Sequence, residues 1–281
     1  MGKNILLPTD FSRSSWSAIQ YATSLFEDCD CDFYILNTYA KETHGLDNLT
    51  LLDPDEAFNK MSEKKSKDGL GNTLARLTLE NNNPDHRFHV LSKSNLFIDV
   101  VKDVVKNLSI DMIVMGAKGA GNRRGDNYGK NTLAVIENIR KCPILVVPKN
   151  VAFKTLREIV LATDFNTNFN SYEVKCLAEI AKLTNANVQI LSLTDTKELS
   201  LEQRKNKILL RKFLQGIDHS FNVLHNVEMP TAISCFIESR KSNMVSYIDK
   251  KPSFFKRLGF GKPTLGKLGF YKHVPVLALH A

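Results

Sequence analysis

The segment from residue 115 to residue 132 combines glycine and basic residues in a way that suits the binding of an anion. It reads MGAKGAGNRRGDNYGKNT and follows a short apolar run. Glycine lets the backbone approach a ligand closely, so that several N–H groups can converge on one anion. Compensating positive charge comes from Lys118, Arg123, Arg124 and Lys130. We therefore expect this loop to bind a polyphosphate.

A helix predicted at 132–140 follows the loop and favours the same ligand. The N-terminus of a helix carries a partial positive charge of about half a unit, which attracts phosphate. Asn131 and Thr132 can cap this helix or offer their side chains to the phosphate.

Two widespread nucleotide-binding motifs fit the loop poorly. The dinucleotide fingerprint G-x-G-x-x-G and the P-loop G-x-x-x-x-G-K-[ST] both need a glycine at 124, where the chain has Arg124. The fingerprint also belongs after a first strand rather than a fourth. Asn131 occupies the hydroxyl position of the P-loop. Neither enzyme class is supported.

The elements that would position the loop occur twice in the chain. Residues 5–11 read ILLPTDF and residues 159–165 read IVLATDF, while CPILVV at 142–147 resembles VPVLAL at 274–279. The length of 281 residues suits about two domains. We predict one domain at 1–150 and a second at 151–281.

Apolar runs alternate with helical patterns in the first half. Strands are predicted at 4–7, 33–37, 87–91, 112–115 and 144–147, and helices at 16–25, 54–81, 96–108 and 132–140. Ser94 or Asn95 suits the start of the third helix. Unbroken apolar strands between helices indicate a parallel sheet covered on both faces. We therefore predict an α/β fold, with two doubly wound, Rossmann-like domains in tandem.

Ligands of such sheets bind beyond the carboxyl ends of the strands, where the strand order reverses. Asp10 follows the first predicted strand and the glycine loop follows the fourth, so both would face one crevice. Asp10 has an alternative role as the cap of the next helix, unless Ser12 takes that position.

Bulk composition indicates an ordinary globular protein, with 43% hydrophobic and 24% charged residues. Neither a membrane span nor a signal peptide is evident, so we expect a cytoplasmic protein. The five cysteines lack metal-site spacing, and we expect reduced, mostly structural thiols.

The chain resembles the universal stress protein family, of the tandem two-domain type. Gly116, Gly119 and Gly129 match the glycines of that family's loop G-x2-G-x9-G-[ST]. Asp10 within PTDFS, the run MIVMG at 112–116 and CPILVV at 142–147 resemble its other hallmarks.

This resemblance implies a site for ATP or another adenine nucleotide in the first domain. It implies that Asp10 and the backbone near Pro8 and Thr9 meet the ribose and base, and that the main chain near Thr38 meets adenine. The loop after the fourth strand would surround the phosphates, through Met115, Gly116, Lys118, Gly119, Gly129, Lys130, Asn131 and Thr132. Lys130 stands where the family has Ser or Thr. A lysine can neutralise phosphate but cannot ligate Mg²⁺ as a hydroxyl can, so dependence on Mg²⁺ stays open.

The second half lacks the glycine loop. Its corresponding stretch, 244–255, reads MVSYIDKKPSFF, and we expect no nucleotide there. Asp164 is interpreted as a helix cap. The segment 250–273 is basic and aromatic, which is compatible with single-stranded nucleic acid or an anionic membrane. We favour aromatic packing beneath solvated lysines, and expect neither nucleic acid nor membrane as a partner.

Three functions remain open at this point. The first is a nucleotide-binding regulator that contacts an unidentified protein partner, and the second is an interaction module without nucleotide. The third is a slow ATP-hydrolysing enzyme, although the loop offers no committed general base or nucleophile. The resemblance also implies that the two last strands, 144–147 and 276–279, pair within the chain as a pseudo-dimer, and that two chains form a homodimer.

Overall fold

The computed structural model describes residues 2–39, 54–119, 128–166, 169, 171–249, 271 and 273–280. Two predicted features therefore lie partly outside the described residues: the middle of the glycine loop, 120–127, and most of the basic aromatic segment 250–273.

Strands and helices alternate along the described chain. The strands are β1 (Lys3–Pro8), β2 (Cys31–Tyr39), β3 (His86–Ser94), β4 (Met112–Gly116), β5 (Ile144–Val147), β6 (Glu158–Ala162), β7 (Asn187–Ser192), β8 (His219–Val223), β9 (Met244–Asp249) and β10 (Val276–His280). The helices are α1 (Arg13–Leu25), α2 (Pro54–Glu80), α3 (Phe97–Asn107), α4 (Lys130–Asn138), α5 (Ser171–Thr184), α6 (Leu201–Phe213) and α7 (Met229–Arg240).

The strands form one ten-stranded sheet in the order β3-β2-β1-β4-β5-β10-β9-β6-β7-β8. Within each half the strands are parallel, and the second half repeats the order of the first. This arrangement confirms the predicted tandem, doubly wound α/β fold. The halves join where β10 pairs antiparallel with β5, placing Leu277 opposite Leu145.

The N-caps of α3 and α4 differ from the sequence predictions, and α1 begins at Arg13, three residues before its predicted start. Helix α4 begins at Lys130, with Gly129 as its N-cap, so Asn131 and Thr132 lie in the first turn and do not cap it. The N-cap of α3 is Leu96, which follows the predicted Ser94 and Asn95. Weak local preferences of loop residues explain both errors, because packing sets the boundary.

Each face of the sheet is covered by an apolar layer. Successive residues of β1 point to opposite faces, so Ile5 and Leu7 enter one layer and Leu6 enters the other, and none of the three is exposed. Each layer contains residues from both halves. Among the described helices, none is both long and apolar enough to cross a membrane.

A polar cluster joins the halves beside the β5–β10 pair. Arg140 follows α4 and forms an ion pair of 2.7 Å with the carboxylate of Asp249. It also donates to the Asp249 carbonyl at 2.7 Å and lies 3.0 Å from Nδ1 of His280. Because Asp249 and His280 are buried, removing Arg140 alone would leave a buried charge unpaired, at a cost of about 3–5 kcal/mol.

The buried imidazole in this cluster predicts a pH-dependent stability. Burial, assisted by the Arg140 guanidinium, lowers the pKa of His280 from 6.5 to about 3. The unfolded chain takes up this proton near pH 6.5 and the folded chain does not. His280 therefore favours folding above pH 6.5, and this contribution is lost as the pH falls towards about 3.

We expect the free energy of unfolding to fall more steeply for the wild type than for His280→Asn between pH 6.5 and pH 5. The slopes of the wild type and the variant should differ by about 1.4 kcal/mol per pH unit, because asparagine cannot take up the proton. Urea denaturation at several pH values measures both slopes. Equal pH dependence of the free energy of unfolding in the two proteins would contradict the lowered pKa of His280.

Candidate functional site

A cavity of about 590 Å³ opens at the carboxyl ends of β1, β2 and β4. Every residue predicted for the nucleotide site lines it: Pro8, Thr9, Asp10, Thr38, Met115, Gly116, Lys118, Gly119, Gly129, Lys130, Asn131 and Thr132. The lining also includes Ser15, Asn37 and Phe97, which the sequence did not single out. The strand order brings these residues together, because β1 lies between β2 and β4.

A tight turn after β1 holds Asp10 at the cavity. Phe11 has a positive φ of 62°, and its N–H donates to the Thr9 hydroxyl. The carboxylate of Asp10 accepts the N–H of Ser12 at 3.1 Å. Ser12 is the N-cap of α1 and accepts the N–H of Ser15, so Ser12 rather than Asp10 caps this helix.

The backbone of Thr9 is already bonded within the protein. Its N–H donates to the Leu36 carbonyl at 2.8 Å, and its carbonyl accepts the side-chain amide of Asn37 at 2.7 Å. A ligand can therefore use only the remaining lone pair of this carbonyl.

The second half repeats the turn. Phe165 has a φ of 55° and donates its N–H to the Thr163 hydroxyl, while Asp164 accepts the N–H of Asn166. Helix α5 begins only at Ser171, so the interpretation of Asp164 as its cap is wrong. The Thr-Asp-Phe sequence therefore builds a turn in both halves, and by itself it does not indicate a ligand.

Two glycines allow the end of β4 and its loop to lie close to other parts of the chain, Gly116 against α1 and Gly119 against Asp10. A Cβ on Gly116 would lie 2.9 Å from both the backbone carbon and the carbonyl oxygen of Ser14 in α1. A Cβ on Gly119 would lie 2.7 Å from a carboxylate oxygen of Asp10. Gly116 is therefore needed for helix packing, whereas Gly119 brings the loop against Asp10.

The N-terminus of α4 faces the same cavity without a side-chain cap. Gly129 is its N-cap, makes no side-chain cap hydrogen bond and donates its own N–H to the Ala117 carbonyl at 2.7 Å. Helix geometry leaves the N–H groups of the first turn without intrahelical acceptors. These groups belong to Lys130, Asn131 and Thr132, which all line the cavity.

Thr132 has a structural role in addition to lining the cavity. Its hydroxyl donates to the Gly116 carbonyl at 3.0 Å and its side chain is buried. The bond ties the first turn of α4 to the end of β4. The hydroxyl is thus occupied, and the predicted contact between this side chain and phosphate is better assigned to the Thr132 N–H.

The opposite end of the cavity is less polar. Thr38 lies inside β2 rather than at its end, and Phe97 begins α3. Phe97 is partly buried beside the second apolar layer. The sequence signal that could have pointed to Phe97 is an aromatic residue at the start of a predicted helix. The sequence alone does not place that helix beside β2, so Phe97 was missed.

In the second half, residues with larger side chains stand at the positions equivalent to the end of β4. The pairing of Ile5 with Met112 and of Ile159 with Met244 makes Tyr247 equivalent to Met115 and Ile248 equivalent to Gly116. Tyr247 is buried, and burial raises its pKa well above the ordinary value. Helix α1 begins two residues after Phe11, whereas α5 begins six residues after Phe165, which leaves room for the Ile248 side chain.

Comparison with known proteins agrees with this architecture. The sequence model of the universal stress protein family matches residues 1–148. A universal stress protein of Synechocystis sp. is 27% identical over 149 residues, which are 53% of this chain and 87% of that relative. The chain belongs to the universal stress protein family.

Solved structures extend the similarity in fold to both halves. A universal stress protein from Archaeoglobus fulgidus has a TM-score of 0.73 at 16% identity, over 99% of this chain and 96% of its own. A putative universal stress protein from Pseudomonas aeruginosa has a TM-score of 0.56 at 11% identity, over 99% and 93% of the two chains.

The two glycine contacts predict different costs for the same substitution. Gly116→Ala should lower the free energy of unfolding by about 1–3 kcal/mol, because the backbone of α1 must move. Gly119→Ala should lower it by less, since the Asp10 side chain can rotate away. Urea denaturation of both variants gives the comparison. An equal or larger loss for Gly119→Ala would contradict the packing assigned to Gly116.

Proposed function

We propose that this protein binds an adenine nucleotide in its first half alone and acts as a regulator rather than as an enzyme. The observation that carries the proposal is the N-terminus of α4, whose N-cap Gly129 makes no side-chain hydrogen bond. This helix start lies at a cavity that Lys118, Lys130 and Asp10 also line. A nucleotide has anionic phosphates, which suit the end of the cavity at α4, and an aromatic base, which suits the less polar end at β2 and α3.

The phosphates would lie at the end of the cavity that α4 forms. First-turn N–H groups and the helix dipole favour an anion there, and two lysines add full charges. Several cations suit the triphosphate of ATP better than the single phosphate of AMP. Gly119 keeps the space between the loop and Asp10 free of side-chain atoms.

The base and ribose would lie towards β2 and α3. The Phe97 ring offers an apolar surface for adenine, and the backbone at Thr38 offers polar groups at the edge of the base. The Asp10 carboxylate can accept a ribose hydroxyl in addition to the Ser12 N–H, because a carboxylate has several lone pairs.

A regulatory role fits the cavity better than catalysis does. Asp10 is the only carboxylate among the described residues that line it, and that carboxylate already holds the turn. Slow ATP hydrolysis through Asp10 is the second candidate, and an interaction module without nucleotide is the third. The three differ in bound nucleotide and in turnover.

Freshly purified protein should release adenine nucleotide on denaturation, detected by mass spectrometry. Gly119→Val should lose it, because the added side chain enters the space beside Asp10. Gly71→Val is the matched control, since a Cβ on Gly71 meets nothing within 4 Å. Retention of nucleotide by Gly119→Val, or none in the wild type, would contradict the proposal. Phosphate release that Asp10→Ala abolishes would favour the enzyme.

Lys130 predicts binding of ATP without a requirement for Mg²⁺. Calorimetric affinities of the wild type should be similar with Mg²⁺ and with EDTA, because the ammonium group supplies positive charge at the phosphates. Lys130→Ser should weaken binding in EDTA by about 10-fold, the equivalent of 1.4 kcal/mol, and Mg²⁺ should restore part of the loss. Strong dependence of the wild type on Mg²⁺ would contradict this role of Lys130.

A further inference from the structure

Helix α4 is bonded to the two halves of the protein at its two ends. At its start, the Gly129 N–H donates to the Ala117 carbonyl, just beyond β4, at 2.7 Å. Just beyond its end, the Arg140 guanidinium donates to the Asp249 carbonyl, at the end of β9, also at 2.7 Å.

These two acceptor carbonyls occupy equivalent positions in the repeated fold. Met112 pairs with Ile5 in the first half, and Met244 pairs with Ile159 in the second, so Met112 and Met244 are equivalent residues. Ala117 and Asp249 each lie five residues beyond them. In the first half this carbonyl holds the end of the glycine loop. In the second half the same carbonyl holds Arg140 instead.

Several polar groups of the second half bind the Arg140 guanidinium. The Asp249 carboxylate pairs with the guanidinium at 2.7 Å and its side chain is only 4% exposed. His280, which ends β10, adds its Nδ1 at 3.0 Å. A buried pair with these bonds has one preferred geometry, so a displacement of Arg140 is costly.

The body of α4 contributes to an apolar layer that contains residues of both halves. Val135 and Ile136 are buried in the apolar layer that contains Val276, Ala278 and Tyr247 of the second half. A helix packed in this way moves as a unit, because close-packed interiors transmit displacement rather than absorb it.

We propose that α4 couples the cavity of the first half to β9 and β10 of the second half, with Arg140 as the positioning residue. An anion at the start of α4 bonds the N–H groups of its first turn, fixes the position of the helix, and thereby favours the arrangement in which Arg140 holds Asp249 and His280. The second half then senses occupancy of a site that it does not itself form. The identity of the anion as a nucleotide rests on the proposed function, whereas the mechanical coupling does not.

Coupling of this kind is reciprocal, which allows a test without ligand. Arg140→Met combined with Asp249→Leu removes both charges together, so that no buried charge stays unpaired. Hydrogen exchange of the full chain should become at least about 5-fold faster for the amides of Gly129 and Leu133, which donate to the Ala117 and Gly129 carbonyls. A factor of about 5 is the lower end of typical coupling. Amides of β2 and β3 should keep their wild-type rates, and exposed Lys154→Met serves as the control variant.

The second arm adds ATP to the wild type and the double variant. ATP should slow exchange in β9 and β10 of the wild type by at least about 5-fold and leave these strands unchanged in the double variant. Binding of ATP without this slowing, or unchanged exchange of the Gly129 and Leu133 amides in the ligand-free double variant, would overturn the coupling. Absence of ATP binding together with faster exchange of the Gly129 and Leu133 amides would overturn the nucleotide as the ligand and support the coupling.

Discussion

The close approach of the end of β4 to the first turn of α1 is the constraint on which the candidate site depends. Gly116 has no space for a Cβ beside the Ser14 backbone, and Gly119 has none beside the Asp10 carboxylate. A side chain at Gly116 would displace the backbone of α1, whereas a side chain at Gly119 would displace the Asp10 carboxylate. The cavity depends on glycine at the places where the end of β4 and its loop approach the turn after β1 and the start of α1.

The second half shows what the same fold becomes without that constraint. Its Thr-Asp-Phe turn has the same hydrogen bonds as the first, and its strands have the same order. Ile248 stands at the position equivalent to Gly116, and α5 starts further along the chain than α1 does. The turn is therefore a property of the fold, whereas the cavity depends on a few residues beside it. This difference supports the proposal that only the first repeat binds a ligand.

Sequence patterns were informative where local chemistry decides the structure. Mainly apolar runs located the strands, and the repeated ILLPTDF and IVLATDF segments revealed the duplication. The spacing of Gly116, Gly119 and Gly129 selected residues that the structure places in one cavity. Phe97 and Asn37 were missed because their places depend on the packing of α3 and β2 against β1. The bond from Arg140 to Asp249 spans more than a hundred residues and had no local signal. The Asp164 cap was wrong because the start of α5 is set by packing.

The central claim is that one half of the duplicated fold holds nucleotide and the other does not. Native mass spectrometry of the full chain with excess ATP tests it directly by counting bound molecules. The account predicts that the count saturates at one nucleotide per chain. Saturation at two per chain, or a chain that stays unliganded, would contradict it.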